Sequence, residues 1–399
     1  MIRTKCAYVC VILTLAGAGA VAPPAKDDPM KLYVVPTDIR SYRLLGMSMD
    51  EDGYIWAGAI HGRIHRYDPR TGSVETLKLP EESYASDCIC ANRKVYILGE
   101  EHPKLVILDR DTRQFRQAPY PSASPNVWYG TGLVDDRHIY LFDRGGGVIQ
   151  WDTRTDTGKA FKYPYPTPQP NGGEYVAADG ALWLKIWDGS QGQYVPVGLA
   201  RFDLATLQYT DWCPFPKDDA GLKPYDNPEA TMFLPRSLEG KIMPFDVKAR
   251  RFCRWISVPR YRELFGFMGG PWLHQGRCYF SLSTYIGQAN GIDGKPHHFC
   301  NAFLEFDPSK APQDGSQAGL QAGPIGAGSS GPNARASTGQ FRFYELKVAR
   351  DTYYQISYML GAGNDFFATG TNIREPDGRL VMERTGEVVF WQTVKPERK

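Results

Sequence analysis

The sequence predicts an all-β fold, a seven-bladed β-propeller of four-stranded antiparallel blades, on three observations. An apolar strand closing on an aspartate recurs along the chain, a tight turn and a second strand precede each regular copy, and one early strand has no blade of its own. The copies are Ile64-His65-Arg66-Tyr67-Asp68, Leu105-Val106-Ile107-Leu108-Asp109, Val148-Ile149-Gln150-Trp151-Asp152, Leu199-Ala200-Arg201-Phe202-Asp203, Ile242-Met243-Pro244-Phe245-Asp246 and Phe303-Leu304-Glu305-Phe306-Asp307. Consecutive aspartates stand 41, 43, 51, 43 and 61 residues apart, and the regular intervals match the roughly 40 to 50 residues of a four-stranded blade.

The second strands follow turns rich in Asp, Asn and Gly. Asp52-Gly53 precedes Tyr54-Ile55-Trp56-Ala57, and Asp179-Gly180 precedes Leu182-Trp183-Leu184. Asn92-Arg93, Asp136-Arg137 and Gln275-Gly276 hold the matching place elsewhere, and such residues tolerate the positive φ of two-residue hairpin turns. After each aspartate comes another turn, as in Pro69-Arg70-Thr71-Gly72, and then a fourth strand closing on proline, as in Leu79-Pro80. The aspartate strands are apolar on both sides of the pleat more often than they alternate. A sheet with one wet face would alternate, so these sheets are sandwiched between neighbours. Aromatic residues, 13 % of the chain, suit those interfaces, and most Trp and Tyr in the strands read as blade packing.

Gly378-Arg379-Leu380-Val381-Met382-Glu383-Arg384-Thr385-Gly386 resembles Gly62–Gly72 with two residues missing and supplies a seventh unit. Leu32-Tyr33-Val34-Val35-Pro36 reads as an outer strand that pairs with the last blade and closes the ring, removing an exposed edge. The fifth unit, residues 217 to 259, is irregular, and not all four of its strands can be placed. Residues 308 to 340, poor in large apolar residues, read as a disordered insertion in the outer hairpin of blade six.

Residues 1–22 form a signal peptide: Arg3 and Lys5, an apolar run from Cys6 to Leu15, then small residues ending in Ala20-Val21-Ala22. Residues 23–399 then make one propeller domain, exported to a periplasmic or extracellular space. No later stretch is long and apolar enough to insert in a membrane. A net charge of +2 with interspersed signs gives no reason to expect nucleic acid. Six cysteines follow the leader without zinc-site spacing, and bridged or free thiols both stay open. No phosphate loop, metal constellation or nucleophile elbow is present; cofactor and metal are left unassigned.

In an antiparallel blade, the link from second to third strand shares a ring face with the link between blades. The second-to-third links carry His61, His102, Arg144, Trp187, the group Tyr285, His297 and His298, and Arg374; the links between blades add Trp128, Tyr129, Glu174, Tyr175 and Glu229. Exposed loops collect polar residues without function, yet aromatic planes beside a few carboxylates suit sugar rings.

At Asp52-Gly53-Tyr54-Ile55-Trp56 and Ile64–Gly72 the chain resembles the streptogramin-lyase-like and sensor-type seven-bladed propellers. The resemblance covers most of the chain as architecture and implies no particular activity. Streptogramin lyases are metal-dependent eliminating enzymes, but no stretch here matches their site motif, so no catalytic residue is carried over. Two functional expectations follow. One is a binding propeller that takes a saccharide, small molecule or protein partner through His61, His102, Trp128, Tyr129, Glu174, Tyr175, Trp187 and Arg374. The other is a lyase cleaving an acidic polysaccharide by β-elimination, with His297 or His298 as base, Arg144 neutralising the enolate and Tyr285 as acid.

Overall fold

A computed structural model describes residues 31–40, 44–59, 62–80, 84–100, 104–119, 121, 135, 137–142, 145–167, 170–190, 195–236, 240–258, 264–284, 299–310, 340–345, 347–349, 352–362, 365–374 and 387–394. Their strands form seven antiparallel sheets. Six are blades of consecutive strands, and the last sheet unites the two ends of the chain. The sevenfold count of the sequence therefore corresponds to six consecutive-strand blades plus a closing sheet.

Blade one comprises Leu44–Met49, Ile55–Ala59, Arg63–Tyr67 and Val74–Lys78; blade two Tyr84–Ala91, Lys94–Glu100, Lys104–Asp109 and Phe115–Pro119. In blade three the described strands are His138–Phe142, Val148–Asp152 and Thr157–Phe161, and in blade four Pro170–Ala178, Ala181–Asp188, Val195–Asp203 and Gln208–Pro214. Blade six holds Leu264–His274, Arg277–Thr284, Phe299–Phe306 and Phe341–Glu345. The long insertion enters between the last two of these, at the outer hairpin; most of it lies outside the described residues.

In the closing sheet, Lys31–Arg40 pairs antiparallel with Glu387–Val394, placing Val34 opposite Trp391. This is the closure expected of the lone early strand. The repeat match at residues 378–386 lies outside the described residues, and the third strand of the closing sheet is Glu387–Val394 instead. Strand Thr352–Ala362 touches the inner strand of blade one on one side and blade six on the other, completing the ring.

Turn chemistry explains the repeat. Asn92 and Arg93, Asp179 and Gly180, and Gln275 and Gly276 all have positive φ, the signature of type I′ hairpins. Each repeated aspartate turns its carboxylate onto the backbone that follows. Asp109 Oδ1 accepts the amides of Asp111 and Thr112 at 3.0 and 2.8 Å, and Asp203 Oδ1 accepts those of Ala205 and Thr206 at 3.1 and 2.9 Å. Asp68, Asp152, Asp246 and Asp307 do the same with one or two amides each. Four positions after the aspartate, Gly72, Arg113, Asp156, Leu207 and Arg250 are left-handed. The motif thus marks a hairpin and not a catalytic carboxylate.

Strand alternation explains the apolar runs. In the second strand of blade two, Val95 and Ile97 pack against Trp56 and Ile64 of blade one, while Tyr96 and Leu98 pack against Ile139, Leu141 and Trp151 of blade three. Blade four repeats the pattern: Leu182, Leu184 and Ile186 face Tyr140 and Phe142, and Trp183 faces Met243 and Phe245 of blade five. Burying one such side chain stabilises the fold by roughly 1.5–3 kcal/mol, and both faces of each strand contribute.

Blade five breaks the rule. Its sheet contains Thr231–Arg236, Lys241–Asp246, and two short pieces, Arg251–Phe252 and Ile256–Ser257, which share one edge of Lys241–Asp246. The Val247 amide donates to Ala230 at 2.9 Å, as the Leu204 amide donates to Gly180 at 3.0 Å in blade four. Thr231–Arg236 is therefore the second strand, and among the described residues this blade has no first strand. Residues 215–230 run outside it instead: the Arg254 amide donates to Lys223 at 2.8 Å, with Phe215 and Leu222 packed toward blade four and Tyr225 toward blade six. This is the physical reason four strands could not be assigned there.

Candidate functional site

The two ends of the ring differ in chemistry. At the aspartate-turn end, charges are matched across blades. Arg110 pairs with Asp50 and Glu51 of blade one, Arg93 reaches Asp52 of blade one at 3.5 Å, Lys94 reaches Asp156 of blade three at 2.6 Å, and Arg250 reaches Asp211 of blade four at 2.7 Å. The Thr112 amide and hydroxyl hold the Asp109 carboxyl below the usual carboxylate range, and the Thr206 amide does so for Asp203. Arg137 depresses Asp152 in the same way. These carboxylates are committed to turns and ion pairs.

The opposite end carries the second-to-third links. Of the residues assigned there from sequence, His61, His102, Arg144, Trp128, Tyr129, Tyr285, His297 and His298 lie outside the described residues. Glu174 and Tyr175 are placed by backbone on the inner strand of blade four, in register with Lys185 and Leu184. Arg374 ends its strand opposite Thr352. Glu229 is placed differently from expectation: it lies in the short 3-10 turn Pro228–Ala230, whose Ala230 carbonyl takes the amide following Asp246. That puts it at the aspartate-turn end, because the chain reaches blade five from outside.

Trp187 is the assigned aromatic whose surroundings are defined. It stands one residue before the end of Ala181–Asp188, half-buried, opposite Asn171 on the inner strand and Pro196 on the third. Lys185, only 2 % exposed, places Nζ 4.4 Å from its ring centroid. Val195, 51 % exposed, stands opposite Asp188 on the other face of the sheet. An indole edge at the rim, with an ammonium beneath, can stack on a ring and attract a polar substituent.

Lys185 was not singled out from the sequence. Within Leu182-Trp183-Leu184-Lys185-Ile186-Trp187 its only signal is position: a lysine in an otherwise apolar strand that is buried on both faces. Among the described residues no group of three or more His, Cys, Asp or Glu could hold a metal. Cys88, Cys90, Cys213 and Cys253 are free thiols.

Comparison with known proteins shows the fold. A streptogramin B lyase structure superposes with a TM-score of 0.52 at 12 % identity, covering 90 % of this chain and 97 % of that one. A catalytically inactive virginiamycin B lyase from Staphylococcus aureus, solved with quinupristin, superposes with a TM-score of 0.57 at 11 % identity over 92 % and 99 %. A 6-deoxy-6-sulfogluconolactonase of Pseudomonas putida is 57 % identical over 35 residues, 9 % of this chain and 12 % of the lactonase. The chain thus matches about an eighth of that enzyme's length. No family model matches.

Proposed function

We propose that the protein is exported through residues 1–22 and binds a saccharide, small molecule or protein partner on the ring face bearing the second-to-third links. The observation that carries this reading is Trp187, half-buried at that rim and seated over Lys185 Nζ at 4.4 Å. The opposite face has its aspartates engaged by its own backbone. A saccharide is the ligand class that a half-buried indole at a rim, beside hydrogen-bonding groups, suits best.

Titration of neutral and acidic oligosaccharides, followed by calorimetry and tryptophan fluorescence, tests the reading. At least one saccharide should bind, and Trp187→Ala should weaken it by about tenfold or more. Binding indifferent to Trp187 would remove the support. The same samples decide between binding and elimination: a rise in ultraviolet absorbance from an unsaturated uronate product would favour the lyase reading, with His297, His298, Tyr285 and Arg144 as the first positions to replace.

A further inference from the structure

We draw no further inference here: the strongest candidate, the aromatic patch at the outer edges of blades three and four where half-buried Tyr165 stacks on Trp212 beside Tyr163 and Tyr209, carries nothing because nothing in the structure shows what covers it.

Discussion

The two ends of this ring are built from the same hairpins yet spend their polar residues differently. At one end, six aspartates recur because each closes a turn on its own backbone, and neighbouring arginines and lysines then tie turn to turn between blades. At the other, the links share no such motif, and the Nζ atoms of Lys185 and Lys241 lie over the indoles of Trp187 and Trp255. Repetition marks what the fold requires; a departure from it marks where a ligand can be accommodated. Two tryptophans on one strand show the contrast at its sharpest, Trp183 wedged against Phe245 at 5.0 Å and Trp187 four residues on at the rim.

The largest effect should come from Trp183. Replacing it with alanine opens the core between blades four and five, and removal of a buried aromatic of this size costs about 3–5 kcal/mol. Urea unfolding should show a midpoint lowered accordingly, while Trp187→Ala should leave it nearly unchanged. Comparable losses from both would erase the distinction between body and rim.

A second prediction concerns acid. His65 is fully buried on the third strand of blade one, with Nδ1 3.0 Å from Thr76 Oγ1 and Nε2 without a hydrogen-bond partner. Burial, aided by the Arg63 charge, lowers its pKa from 6.5 to about 3. The folded protein keeps this ring neutral where the unfolded chain would protonate it, so the unfolded state binds more protons between these two values. Stability contributed by His65 is whole above pH 6.5 and is lost as pH falls toward about 3, at a slope approaching about 1.4 kcal/mol per pH unit. His65→Leu removes the titrating ring, so its unfolding midpoint should fall less steeply with acid, while water takes the exposed Thr76 hydroxyl. Parallel slopes for the two proteins would assign the acid sensitivity elsewhere.

Much of the fold was legible because hairpin chemistry is local. Asp-x-x-x turns, the Asn92-Arg93 and Asp179-Gly180 corners, and the early strand that pairs with Glu387–Val394 could all be read from a few neighbouring residues. Blade five was not, since Asp246 and its turn are intact and the missing inner strand leaves no positive mark; only the path of residues 215–230 reveals it. Glu229 was misplaced for the same reason. At the site, Trp187 was legible as an aromatic at the end of a strand, whereas Lys185 was not. A lysine in sequence reads as a solvated charge, and its seat on an indole depends on a neighbour that only the folded sheet supplies.

The smallest effect should come from a single repeat aspartate. Asp203 Oδ1 satisfies the Ala205 and Thr206 amides and the Thr206 hydroxyl, and its Oδ2 meets Arg201 at 3.0 Å. Asp203→Ala frees those amides to water at an exposed turn, so the cost should resemble loss of a helix cap, about 1 kcal/mol. Asp203→Asn keeps one acceptor oxygen for the amides and should recover most of it. If the carboxylate acted mainly through its charge on Arg201, asparagine would fare no better than alanine. Unfolding midpoints of the two variants therefore decide whether the repeated residue is selected for turn geometry, and ligand affinity at the opposite rim should be the same in both.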